Sequence, residues 1–600
     1  MRQPRLAGPI AVVTLVYAAT LALLPAGGLW IVDNGNKRIQ AEALLASGFR
    51  DFSLPWPGRH LDPDLEFNPL PRSFSVVREG RLYSVFSPVF PALSALPFCV
   101  LGDAGLCLLP LLASLALLAG VGRIAELAEL PPPGRSLAIL IAGLATPLWF
   151  YAVVFWEHAV AASLCVGSVA LALDFLTHGS RRALWLSGLA IALAAAFRDS
   201  LLLFAAVLGA LVFFATPRER LRTGWIFVAG LAAGLLPLAL FQWLALGDPL
   251  GFHLTHGFAA RAGVEPGFGI LLRTRPAVLH NLFLAAAGGP AHSALLTAPS
   301  ALLLLAQPRL SGRIHRGVAL GAAAWALVGA IVTAIGYATA QSPIERLLAS
   351  NGFFAAAPLL VVGLARRRPD GRVSAGDRVV AWLLRLVLGY ALLYFALTPL
   401  RNTTGIHWGN RYLLELYPLL AVPCAAGLLA LLRGAAPARA AAALLGLLAA
   451  GSVAVQIFSI DLLRRKLVFG ERLEQAVRER PETVVVTDQW WVPQTLAHEF
   501  FEKSLFFVAT PENARVLLGR LAQRGVRELL FVTTNLNRPP DPGARVIEDQ
   551  GLGFFSLRLA HQPLRAPGAG RAPGAAPRPS SRRRRRPIHA ACRRSGSSSR

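Results

Sequence analysis

The sequence predicts a polytopic α-helical membrane protein that carries a small α/β domain near its C-terminal end. Three observations predict it. First, 54% of the 600 residues are hydrophobic, only 15% are charged, and the mean hydropathy is +0.52. A soluble globular protein carries roughly 25% charged residues, so this chain has too few to cover a wetted surface. Second, apolar runs recur at the roughly 20-residue length that crosses about 30 Å of hydrocarbon. Third, the apolar runs stop near 461, and short strand-like runs alternating with helical patterns take over.

The run LAGPIAVVTLVYAATLALLPAGGLW (6–30) is the first expected span. It is too long for a usual signal core and shows no small-residue cleavage site before Asp33. Loops near 123–135, 178–182, 217–222, 309–316, 366–378 and 433–439 hold arginine and little acid. The positive-inside rule places them, with Arg2 and Arg5, in the cytoplasm. The expected spans are then 8–32, 104–121, 136–155, 159–176, 184–197, 201–216, 224–244, 291–307, 318–340, 351–366, 379–399, 412–432 and 440–460. That makes about 13 transmembrane helices in a domain over 1–460.

A large first outer loop is expected over 33–103. Between 33 and 81 it holds seven acids and seven bases, so it is polar yet neutral. It ends in YSVFSPVFPALSALPF (83–98). Pro88, Pro91 and Pro97 interrupt that run and predict a membrane-surface helix rather than a span. A second outer region is expected at 245–290. From 461 to 562 the chain reads as an α/β domain outside the membrane. VVVTD (484–488), SLFFVA (504–509) and ELLFVTT (528–534) read as buried strands. A helix is expected from Thr510, with Pro511 at its first position. Residues 563–600 hold eleven arginines and no acid among Pro, Gly and Ser, the composition of a disordered tail.

The net charge of +26 does not point to nucleic acid. Its excess sits in that tail and in short loops between spans. The five cysteines lie far apart, so spacing indicates neither a zinc site nor a disulfide framework.

Four places combine ionisable groups with a membrane boundary. Asp33 follows the first span directly. A carboxylate there can accept a proton from an acceptor hydroxyl, or it can simply mark the water boundary. Glu157 and His158 fall at an outer turn within TPLWFYAVVFWEHAVAASL (146–164), as a site or as a polar turn. Arg198 either pairs with Asp199 or faces a lipid phosphate. Arg401, His407 and Arg411 lie in LRNTTGIHWGNRYLLELYPLL (400–420), at the mouth of a span. The arginine fork suits phosphate oxygens, and snorkelling to headgroups is the alternative. No Walker A, HExxH, GxSxG or strand-linked GxGxxG pattern is present.

The order of these segments resembles the GT-C superfamily of integral-membrane glycosyltransferases. The resemblance is to the branch of protein O-mannosyltransferases and the lipid A aminoarabinose transferase, and it covers about 8–460. VDNGNKRIQAEALLASGF (32–49) resembles the acidic motif that opens the family's first outer loop. YSVFSPVFPALSALPF resembles the loop's proline-rich end. TPLWFYAVVFWEHAVAASL resembles the third and fourth spans, and WGNRYLLELYP resembles a late G-x-R-Y segment. The resemblance implies transfer of a sugar, with inversion, from a polyprenyl-phosphate donor to a hydroxyl of a glycan, lipid or protein. It places Asp33 as the catalytic acid, and its branch carries a C-terminal α/β domain outside the membrane. The expected location is the bacterial inner membrane, with the N-terminus in the cytoplasm by the positive-inside rule. Glu157, His158, Arg198, Arg401, His407 and Arg411 are the expected substrate-binding residues. Many members carry two acids at the first site, whereas Asn34 follows Asp33 here. A divalent metal is therefore left open, with no ligand assigned. A transporter or flippase for a lipid-linked substrate is the alternative, although no internal repeat is visible. A membrane scaffold that binds partners through its outer domain is a third.

Overall fold

The computed structural model describes residues 7–71, 73–257, 272–286, 290–307, 312–348, 351–365, 373–403, 405–433, 438–535, 544–551 and 554–564. The tail from 565, and parts of the arginine loops near 309, 366 and 434, lie outside them. The chain divides into two compact units. One comprises 1–24, 109–241 and 264–464, and the other comprises 25–108, 242–263 and 465–600.

The first unit is helical. Among the described residues, six helices of the chain are long and apolar enough to cross a membrane: Asp103–Leu127, His158–His178, Arg220–Leu246, Ile314–Thr339, Ala375–Leu397 and Arg439–Arg478. Shorter apolar helices cover Ala7–Leu23, Leu201–Ala215, Ala291–Ala306 and Leu416–Leu432. The expected span 351–366 is not one helix. It folds as Phe353–Ala356 followed by a 3-10 helix, Pro358–Leu364. Pro358 lacks the donor an α-helix needs there. Gly363 and Gly427 then let this segment lie close to the backbone of Leu416–Leu432.

Small residues set the packing of this unit, as lipid-embedded helices require. His158–His178 and Arg181–Phe197 form an antiparallel pair. At their contact, the Ser168 and Ser187 hydroxyls lie 3.0 Å apart, and each reaches the other's carbonyl at 2.8 Å. Gly188 and Gly230 interlock the second of these helices with Arg220–Leu246. A Cβ on Gly230 would collide with the Trp185 carbonyl, and one on Gly188 with that of Phe227. Gly230→Val is therefore expected to destabilise the helical unit by about 1–3 kcal/mol. A thermal melt of the detergent-purified protein measures this, and an unchanged midpoint would contradict the packing described.

The second unit surrounds a five-stranded sheet. It also holds a separate hairpin of β1 (Ser75–Arg78) and β2 (Arg81–Ser84). The sheet strands are β3 (Val484–Thr487), β4 (Ser504–Phe507), β5 (Glu528–Thr533), β6 (Arg545–Gly551) and β7 (Ser556–Pro563). Their order is β4-β3-β5-β7-β6, parallel through β4-β3-β5 and antiparallel beyond. The three expected strands are β3, β4 and β5. The expected helix runs over Pro511–Gln523, with the Thr510 side chain accepting from the Asn513 amide.

The loop expected over 33–103 packs on this sheet and its helix. The Trp56 indole donates to the Leu505 carbonyl at 3.0 Å and packs edge-on against Phe506. Arg520 of the Pro511–Gln523 helix pairs with Glu66 at 2.7 Å. The proline-rich segment forms helix Val89–Leu101 with Pro97 inside it, preceded by β2. Helix Ala438–Arg478 runs on through 461, where the sequence changes character. Trp490 stacks on Phe74 at 5.6 Å, and Trp491 packs against Phe469 and Phe555.

Candidate active site

Three of the four sequence segments converge within the first unit. Helix Pro132–Leu144 ends at Thr146-Pro147, and a single helical turn, Leu148–Ala152, follows. Residues 145–162 are buried throughout. The aromatic residues here are therefore not an interfacial belt. They form the wall against which the 408–411 turn packs. The Tyr151 hydroxyl donates to the Trp408 carbonyl at 3.0 Å.

Gly409 makes that close packing possible. Its φ is +55°, and a Cβ would collide with Pro147 and Ala356. Asn410 fixes the next turn. Its side chain accepts from the Tyr412 amide at 3.1 Å and donates to the Leu282 carbonyl at 2.8 Å. Its own amide donates to the Tyr417 hydroxyl at 2.9 Å. Gln456 bridges the Trp408 indole to the Ala356 carbonyl.

This scaffold presents Arg411. The guanidinium lies 4.9 Å from the Trp156 ring centroid and 4.8 Å from that of Tyr412, and donates to the Tyr412 hydroxyl at 2.9 Å. Two rings hold the cation in a fixed plane, with its Nε and Nη1 buried. Trp156 also packs on His158 at 4.5 Å, so the two motifs share one aromatic ring. Glu157 stands at the N-terminus of helix His158–His178, where the helix dipole favours an anion.

Arg198 plays a part its position in the sequence did not suggest. It faces inward rather than toward lipid phosphate. It donates to the Arg411 carbonyl at 2.9 Å and the Tyr412 carbonyl at 3.4 Å, and pairs with Glu415 at 3.5 Å. Arg198 is 8% exposed and Glu415 is fully buried. Burial opposes the charge on Arg198, and Glu415 restores it, with help from Glu157. Arg198 thus props the turn that carries Arg411.

His407 is not a cation here. Its Nδ1 is 2.5 Å from the Gly409 carbonyl and therefore carries the proton. Burial, with Arg411 nearby, pulls its pKa down to about 3. It shapes the loop without adding charge. Arg401 lies in the 3-10 turn Leu400–Thr403, and its side chain is outside the described residues. Glu415 is the residue that sequence reasoning passed over. Its signal was available: it is the one acid between 378 and 460.

Asp33 belongs to the second unit. It is the second residue of helix Val32–Ala46, in the first turn, and partly buried. The Asn34 side chain accepts from the Ile31 amide at 3.1 Å and caps that turn. The polar residues after it do not line an open loop. Asn36, Lys37, Arg38 and Gln40 are all buried. Gly35 explains the DNGN pattern, because a Cβ there would collide with the backbone of Gln494.

Arg38 anchors the next turn of this helix. It donates to Asp103 at 2.8 Å, to Glu42 at 2.9 Å and to the Ala497 carbonyl at 3.2 Å. His498 meets the other Asp103 oxygen through Nε2 at 2.9 Å and Glu474 through Nδ1 at 2.5 Å. Burial opposes charge on His498, but hydrogen bonds to Asp103 and Glu474 outweigh it and lift its pKa to about 9. An unfolded histidine titrates near 6.5. A raised folded pKa gives stability that is complete below about 6.5 and disappears as pH rises through about 9. The loss is on the order of 3 kcal/mol. Denaturant melts at pH 6.5 and pH 9.5 measure it. His498→Gln should flatten that dependence, and a wild-type curve flat across the interval would contradict the pairing.

Among the described residues, no group of three or more His, Cys, Asp or Glu side chains is placed to hold a metal ion.

Solved structures similar to this chain include ArnT from Cupriavidus metallidurans bound to undecaprenyl phosphate. It is 14% identical, with 92% of this chain and 98% of that chain covered, at a TM-score of 0.45. The apo oligosaccharyltransferase of Archaeoglobus fulgidus is 12% identical, with 88% and 70% covered, at 0.45. The archaeal oligosaccharyltransferase AglB from the same organism, in complex with an inhibitory peptide and a dolichol-phosphate, gives 12%, 88%, 69% and 0.45. No family model and no curated protein matches the chain.

Proposed function

We propose that this chain is a GT-C-type membrane glycosyltransferase that moves a sugar from a polyprenyl-phosphate donor to an acceptor hydroxyl outside the cytoplasm. The observation that supports it best is Arg411 held between Trp156 and Tyr412, on a turn propped by buried Arg198 and Glu415. A planar cation between aromatic walls suits a phosphate whose other end is a lipid.

The acceptor hydroxyl attacks the anomeric carbon, and its proton passes to the Asp33 carboxylate. The bond between that carbon and the phosphate oxygen breaks. Its electron pair leaves with the polyprenyl phosphate, and Arg411 stabilises the charge that develops there. A single displacement inverts the anomeric centre. Asp33 takes the base role on the strength of the acidic motif it opens. Arg198 and His407 build the phosphate-binding turn, and Glu157 and His158 flank it through Trp156.

Native mass spectrometry of the protein with undecaprenyl phosphate tests the lipid-phosphate site. The wild-type protein should retain the lipid, and Arg411→Gln should lose at least about tenfold in affinity, the worth of one charge-assisted contact. Equal retention by the two proteins would remove Arg411 from the site.

A further inference from the structure

The buried charges of the second unit form a continuous chain of contacts, Glu42–Arg38–Asp103–His498–Glu474. It joins four distant segments of sequence: helix Val32–Ala46, helix Asp103–Leu106, the end of Ala438–Arg478, and the stretch after Val492–Thr495. No step of the transfer reaction uses it. A merely stabilising cluster would be an inefficient choice, because buried ion pairs often lose to well-packed apolar residues. Conformational specificity is the better-attested use of such groups.

The geometry shows what is being specified. Helix Val32–Ala46 rests on the 494–498 segment at two successive turns. Gly35 touches the Gln494 backbone, and Arg38 donates to the Ala497 carbonyl. Arg38 then shares Asp103 with His498. Asp33 stands one turn before this anchor. A displacement of about 1 Å at a catalytic group costs about 10²-fold in rate.

We propose that His498 is a positioning residue for Asp33: by holding Asp103 it fixes Arg38, and so sets the helix that presents the Asp33 carboxylate. The proposal rests on the reading of Asp33 as the base. Both ring nitrogens of His498 face carboxylates, so both bridges need the imidazolium. The neutral ring can donate to only one of the two. The groups that set its charge are Asp103, Glu474, Glu42 and Arg38, with Arg478 and Glu499 paired on the adjoining helix and loop. The coupling between His498 and Asp33 therefore weakens as pH rises through about 9.

The test uses the full-length protein in nanodiscs, with a membrane extract supplying the acceptor hydroxyl, and follows release of polyprenyl phosphate from a panel of polyprenyl-phosphate hexoses and pentoses. Rates are taken per folded molecule, from pH 6 to pH 10. For His498→Gln at pH 7, kcat should fall at least about tenfold while KM for the donor stays within about twofold. The wild-type rate should decline as pH rises through about 9, and that limb should vanish in His498→Gln. Arg38→Lys keeps a charge but loses the fork that reaches three acceptors, and it should repeat the kcat loss. A His498→Gln protein with the wild-type kcat, or with the alkaline limb intact, overturns the proposal. Asp33→Asn in the same series separates the two readings. Full activity in Asp33→Asn removes the base role itself. An inactive Asp33→Asn beside a fully active His498→Gln removes only the positioning role. A wild-type protein inert toward the whole panel counts against the transfer reading.

Discussion

Asp33→Asn should lower the rate of sugar transfer by about 10²–10⁴-fold, the usual contribution of a general base. Asparagine keeps the size and the acceptor oxygen of the side chain but cannot take a proton. The helix around it is fixed by other residues, chiefly Gly35 and Arg38. The cap of its first turn comes from Asn34. The variant should therefore melt within about 1 kcal/mol of wild type, the worth of one anion at a helix N-terminus. Steady-state rates with a polyprenyl-phosphate sugar, beside a thermal melt, check both halves. A folded variant at the full rate would exclude the base role.

Arg411→Lys should cost about 10²–10³-fold in kcat, the scale of losing one donor aimed at developing charge. Lysine keeps the positive charge, so a purely Coulombic account predicts almost no effect. The structure predicts a large one. The guanidinium is set between Trp156 and Tyr412 and hydrogen-bonded to the Tyr412 hydroxyl, a planar arrangement an ammonium cannot reproduce. Burst-phase measurements separate the chemical step from donor binding. A Lys variant that matches wild type in kcat would show that Arg411 does not touch the departing phosphate.

Much of the fold was legible because apolar runs and caps are local signals. β3, β4 and β5 were readable since buried strands carry continuous apolar sequence. Thr510 and Pro511 announced their helix by capping chemistry. β6 and β7 were missed, because RVIEDQG and SLRLAHQP are too polar to read as buried strands. The helix through 461 was cut short for a related reason. Hydropathy ends there, but RRKLVFGERLEQAVR keeps a helical period. Phe353–Leu364 erred the other way, since an apolar run with Gly352 and Pro358 looks like a span to hydropathy alone.

The site was half legible. Arg411, His158 and Arg198 stood out as ionisable groups beside apolar runs, and the structure brings their segments together. What each does was not legible. Whether an arginine meets a carbonyl or a lipid depends on residues 213 positions away, as Arg198 and Arg411 are. Asp103 and His498, 395 residues apart, leave no pattern in the sequence at all.

The most direct measurement supplies purified protein in sealed vesicles with an anomerically pure polyprenyl-phosphate sugar and a membrane extract as acceptor. Polyprenyl phosphate and the glycosylated product are then analysed by mass spectrometry and NMR. The account predicts stoichiometric release of polyprenyl phosphate and a product of inverted anomeric configuration. Movement of the intact lipid-linked sugar between leaflets, with its phosphate–sugar bond unbroken, would contradict it and identify a flippase instead.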